Sequence, residues 1–242
     1  MASTRVTGTF LNIFTVLVGG SLGLVFGQRF SEKIRQTVLA VIGLFTMAIG
    51  IQMFLKTENP IVVLLSLVFG AILGEAIKIE ATLERFGGWL QAKFSPQAED
   101  ASQRAAFVKA FLTASLVFCV GPMTILGSIQ DGLTGDFNLL AIKSVLDGFA
   151  AMAFAATLGP GVLFSVIIIL LYQGGISLLA AQIQNLVTPL MITEMTAAGG
   201  IILVGLALSN LLEIKPIRAG NLLPGLIIAP LLILLFQLFS IN

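Results

Sequence analysis

Histidine is absent from the chain, and cysteine occurs once, at Cys119 inside an apolar run. That excludes disulfide frameworks, the usual zinc sites, histidine-ligated haem and histidine proton relays. Charge is scarce as well. Only 10% of the 242 residues are charged, and 13 basic against 12 acidic side chains leave a net charge of +1. No basic face for nucleic acid and no like-charge tail can be built from so few. There is no P-loop, no H-E-x-x-H, and no G-x-S-x-G or dinucleotide fingerprint in strand context, so nothing points to an enzyme of those classes.

What is abundant is apolar. Hydrophobic residues make up 57% of the chain, and the mean hydropathy is +1.04. A bilayer core about 30 Å thick needs roughly 20 such residues per helical crossing. The expectation is an all-α, polytopic membrane helical bundle, one integral membrane domain over residues 1–242. Eight crossings are read from hydropathy and turn residues, over 8–27, 37–55, 60–79, 107–128, 137–157, 161–182, 189–212 and 221–240. A merged or re-entrant pair would make seven. The first run has no A-x-A-like cleavage site and is read as an uncleaved helix.

Lysines and arginines gather on one side of this scheme: Arg29, Lys33 and Arg35, then Lys78 to Lys109, then Lys215 and Arg218. The other side has Arg5 and Lys56, which places both termini outside the cytoplasm. Between the third and fourth crossings, Ile79, Leu83, Phe86, Leu90 and Phe94 recur at helical spacing while Glu80, Glu84, Arg85, Gln91 and Lys93 take other faces. Residues 80–106 therefore read as a cytoplasmic amphipathic helix and connector, lying on lipid or capping the bundle. The run from Gly8 echoes the run from Gly161, with Gly19-Gly20 and Gly174-Gly175 near corresponding places. If helices 1–3 correspond to helices 6–8, the displacement of five makes an inverted repeat, as in many transporters.

Polar residues interrupt the apolar runs at a few points. The stretch GPMTILGSIQDGLTGD begins with Gly121-Pro122 in the fourth span, where Pro122 cannot donate to the carbonyl four residues back. On a continuous helix Thr113, Gly121, Thr124, Ser128 and Asp131 share one face, a polar stripe leading to Asp131 and Asp136. On the fifth span Lys143 and Asp147 are four apart, either a fastening ion pair or a functional one, since charge at the bilayer centre marks pathways. Gln173 and Glu194 are further polar groups within spans six and seven. Gly19, Gly23 and Gly27, with Gly70 and Gly74, repeat G-x-x-x-G, which favours tight packing inside the bundle or between copies in a homo-oligomer.

The run GPMTILGSIQDGLTGD, followed by KSVLDG, YQG, ITEMTAAGG and NLLPGL, resembles the bacterial membrane-protein family catalogued as domain of unknown function 554, over nearly the whole chain. The resemblance implies a multi-pass protein of the bacterial inner membrane and carries no activity with it. From the residues themselves, the expected function is an ion-coupled transporter or permease for a small solute or ion. Asp147 is its cation or proton site, Lys143 the partner, Asp131, Asp136 and Glu194 the outer approach, and Gln173 the residue that orients substrate. At the Gly121-Pro122 break, the carbonyl that Pro122 frees would bind an ion or a water chain alongside Thr124 and Ser128. Hard oxygen ligands suit Na+ or H+ coupling, with no other cofactor. The alternatives are a channel-like pore and a scaffold or sensor that binds through its glycine-rich faces.

Overall fold

Turn residues punctuate the chain where the apolar runs stop. Asn59 accepts from the backbone N–H groups of Ile61 and Val62 at 3.2 and 3.4 Å, with Pro60 in the first helical turn where its missing donor costs nothing. Gly135 and Gly159 close two other helices at φ of +75° and +98°, values that glycine alone reaches without strain. A computed structural model describes residues 6–94, 101–184 and 186–238. Arg5, the 95–100 part of the connector and both ends of the chain lie outside the described residues.

Every described element is helical. In chain order they are α1 (Thr7–Gly27), α2 (Glu32–Phe54), α3 (Pro60–Ile77), α4 (Ile79–Phe94), α5 (Ala101–Cys119), α6 (Pro122–Thr134) and α7 (Asn138–Leu158). A 3-10 turn at Pro160–Phe164 leads into α8 (Ser165–Leu178), and the short α9 (Ala180–Ile183) follows. Then come α10 (Pro189–Leu206), which ends in a π turn at Ala207–Leu211, and α11 (Pro224–Leu238), entered through a 3-10 turn at Ala219–Leu222. Seven of these helices, counted with their 3-10 and π turns, are long and apolar enough to cross a membrane. The bent pair α5 and α6 makes an eighth candidate crossing when the two are counted as one span. The protein is a multi-pass membrane bundle.

The fourth span, expected over 107–128, is broken at the Gly121-Pro122 pair that the sequence places in it. The chain breaks at Val120–Gly121, and α6 leaves α5 at 63°. Gly121 is extended there, as a residue before proline prefers, and Pro122 starts α6. Asp131 consequently belongs to α6 and not to the loop that follows it.

Two compact units are formed: residues up to Ile42 with Glu84–Asn185, and Gly43–Leu83 with those from Leu186 onward. In the first unit α1 packs along α7. A Cβ added at Gly19, Gly23 or Gly27 would run into the carbonyls of Gly148, Met152 and Ala156 in turn. Steps of four on one helix thus match steps of four on the other in the same direction, so α1 and α7 are parallel. α8 runs antiparallel to α1, since Gly20 meets Leu163 and Thr9 meets Gly174. α8 stays helical through Gly174-Gly175, which therefore is not an unwound point. In α4, Phe86 meets Phe111 edge-on and Gly87 packs on the same ring, while Trp89 stays exposed with Lys93 over its face.

In the second unit Gly70 and Gly74 lie against Gly225 and Asn221, an antiparallel contact of α3 with α11 and the 3-10 turn before it. Both glycine series are thus packed against other helices of the chain. Lys78, in the left-handed conformation at φ +56°, ends α3. The GNLLPG segment then holds the start of α4: Gly220 N–H donates to Glu80 at 2.8 Å, and Glu80 N–H donates to Asn221 Oδ1 at 2.8 Å. Arg218 pairs with Glu75 at 2.8 Å, but both are well exposed, which makes the pair worth about 1 kcal/mol or less.

Candidate functional site

The buried face of α1 changes character along its length. Gly8, Thr9 and Asn12 occupy its first turns, and the glycines Gly19, Gly20, Gly23 and Gly27 the later ones. Beside the polar half, α7 buries Lys143, Ser144 and Asp147, and α8 buries Gln173 and Ser177. Helical spacing puts each set on one face, and the α1–α7 glycine seam draws those faces together.

A continuous polar network results. The carboxylate oxygen Oδ2 of Asp147 accepts from Lys143 Nζ and, at 3.0 Å, from Asn12 Nδ2. Asn12 Nδ2 also donates to Gln173 Oε1 at 3.0 Å, and Gln173 Nε2 donates to Thr9 Oγ1 at 3.2 Å. Asn12, Gln173 and Thr9 are essentially inaccessible, and Asp147 is 9% exposed. Both amide hydrogens of Asn12 are therefore in use, which sets the orientation of its side chain. Its Oδ1 is buried and has no hydrogen-bond partner among the described residues. An unpaired amide oxygen in an apolar interior costs roughly 1–3 kcal/mol, so it marks a place where a donor or a cation would be favoured.

Asp131 lies at the same end of this unit. Its Oδ2 accepts from the backbone N–H of Gly8 at 2.8 Å, so a fully buried carboxylate faces the first turn of α1, where free N–H groups and the helix dipole favour negative charge. Asp136 is exposed and turns the chain instead: its Oδ1 accepts from the Asn138 N–H at 3.1 Å. At the break, the carbonyl that Pro122 leaves without its backbone donor is that of Phe118. It accepts from Thr124 Oγ1 at 3.3 Å. Ser128, also fully buried, has no partner for its hydroxyl among the described residues.

Glu194 belongs to the second unit. Its two oxygens accept from Thr57 Oγ1 at 2.6 Å and from the N–H groups of Glu58 and Asn59 at 2.8 and 3.0 Å. A buried carboxylate thereby holds the turn between α2 and α3. Of the residues singled out from sequence, Lys143, Asp147 and Gln173 come together in one network. Asn12 and Thr9 complete it and were not singled out. An asparagine within a 20-residue apolar run was the available signal for the first, by the same desolvation argument that applies to Gln173.

The profile of the family described as "Protein of unknown function (DUF554)" matches residues 7–234. The chain belongs to this family. Similar curated proteins include "Uncharacterized protein YqgA" of Escherichia coli (strain K12), 33% identical over 93% of this chain and 94% of its own. Another is "Uncharacterized membrane protein YdfK" of Bacillus subtilis (strain 168), 29% identical over 97% of this chain and 99% of its own. No solved structure matches. The family so defined is one of membrane-embedded helical proteins, and the relatives' names assign no activity.

Proposed function

We propose that the protein is an ion-coupled secondary transporter or permease for a small solute or ion in the bacterial inner membrane, with Asp147 as its cation or proton site. One observation carries the reading: a buried carboxylate shared between an ammonium and an amide, beside the unpaired oxygen of Asn12. Lys143 already balances the charge of Asp147, so an incoming Na+ or H+ competes with the ammonium for the same oxygens. Binding of the ion releases Lys143, and return of Lys143 expels the ion. Hard oxygen donors from Asp147 and Asn12 suit such an exchange. Gln173 couples the site to α8 and would orient substrate, while Asp131 and the exposed Asp136 line the outer approach. The Gly121-Pro122 break sets α6 apart from α5, Thr124 on α6 satisfies the Phe118 carbonyl that Pro122 frees, and Ser128 lines the same face. A scaffold reading relied on glycine-rich faces, and those are packed inside the chain.

The test uses purified protein in liposomes on a supported membrane, with Na+ and H+ themselves as probes. A NaCl or pH jump should give a saturable charge displacement in the parent protein and none in Asp147→Asn. Equal signals in both would remove Asp147 as the ion site.

The same reading places both termini outside. Parallel α1 and α7 begin on one side, and if α2 and α3 each cross, the bent α5–α6 pair must return the chain to that side, giving eight crossings. The basic residues at the far end of α1 mark the cytoplasmic face. Cys119 is the single, buried cysteine. In a Cys119→Ala background, an impermeant maleimide added to intact spheroplasts should therefore label Asp136→Cys and spare Arg29→Cys. The reverse pattern inverts the protein.

A further inference from the structure

At the end of the first unit where α1 and α7 finish, a cavity of about 370 Å³ opens between α1, α2, α4, α5 and α7. That volume lies within the roughly 300–1,000 Å³ of small-molecule sites. Its composition is lopsided. Arg35 is the one charged residue among the described lining groups, joined by the amides of Gln28, Gln91 and Gln103, while Leu24 and Phe107 contribute apolar wall. No described lining residue is acidic.

Arg35 is half-buried and lines the cavity wall. Its Nε is buried and has no partner among the described residues, and Nη2 donates to the Gly27 carbonyl at a long 3.5 Å. A guanidinium offers five donors in a planar fork that matches carboxylate and phosphate oxygens. Here the buried Nε of that fork is left without a partner among the described residues. Gln91, only 1% exposed, is a second polar group fixed in the wall.

We propose that this cavity binds an oxyanion head, a carboxylate or phosphate carrying a short apolar body, with Arg35 as its charge partner and the amides of Gln28 and Gln103 as additional donors. The head would pair with the buried Nε of Arg35, and the body would lie on the Leu24 and Phe107 side. The site involves none of the Asp147 network and stands whether or not the protein transports ions. The anion can come from solution or from a phospholipid, since both present the same chemistry.

The experiment uses the full-length protein in nanodiscs, with two arms. In neutral phosphatidylcholine discs, inorganic phosphate and butyrate are titrated by calorimetry. In the second arm, discs containing phosphatidylglycerol are compared with neutral ones by thermal unfolding, with no added anion. Arg35→Gln should weaken binding, or lose the stabilisation, by about tenfold or more in whichever arm responds. Arg35→Lys should retain part of it as a point charge. Gln103 is exposed at the rim, so Gln103→Glu should leave folding intact and repel the anion. This second variant decides the matter if Arg35→Gln fails to accumulate. Response in the first arm identifies a soluble anion and in the second a lipid head. Failure of both arms in the parent protein, or a response insensitive to both Arg35→Gln and Gln103→Glu, overturns the proposal.

Discussion

Lys143→Ala should leave little folded protein, while Asp147→Asn accumulates close to the parent level and the double variant recovers. The two halves of the pair are not equivalent. Removing the ammonium strands a carboxylate that is 9% exposed in an apolar bundle, and losing one member of a buried pair costs about 3–5 kcal/mol. Removing the carboxylate strands a lysine, whose long stem lets it reach toward the near end of α7. An asparagine at 147 still accepts from Asn12. Size-exclusion profiles and melting temperatures of the solubilised variants measure this. A Lys143→Ala protein as stable as the parent would show that something else balances Asp147, and the exchange between ammonium and cation would lose its basis.

Gly23→Leu should be as damaging, for a different reason. A Cβ there meets the Met152 carbonyl, a backbone atom that cannot turn aside as a side chain could. The helices must separate, and with them the polar faces of α1 and α7. We expect a loss of about 3 kcal/mol or more, seen as aggregation on solubilisation. Gly88→Ala in α4 is the control. Nothing lies within 4 Å of its added Cβ, and alanine in a helix gains about 0.5–1 kcal/mol over glycine. Equal melting points for Gly23→Leu and the parent would mean that the seam is not closely packed.

Much of the network was legible from residue type. A lysine and an aspartate four apart within an apolar run have to share a face and turn inward, and a glutamine in such a run needs partners. The proline signalled the break but not its angle, because the same residue kinks a helix or ends it according to what packs around it. The role of Glu194 had no local signal: its donors lie more than 130 residues away in Thr57, Glu58 and Asn59. Arg35 reads in sequence as one more cation on the basic side. Only the folded arrangement shows that it lines a cavity with its Nε buried.

The α1–α7 seam also limits how this protein can move. Its glycines recur every four residues, so a slip of one, two or three positions would drive side chains such as Leu22 into the facing backbone. The smallest permitted slide is a full step of four residues, about 6 Å along the axis. Thermal motion does not make such a jump casually, and the two helices behave as a single beam. Any rearrangement that opens Asp147 to solvent must then fall to the partners of that beam, α8 and, above all, α6, which joins α5 through an extended glycine.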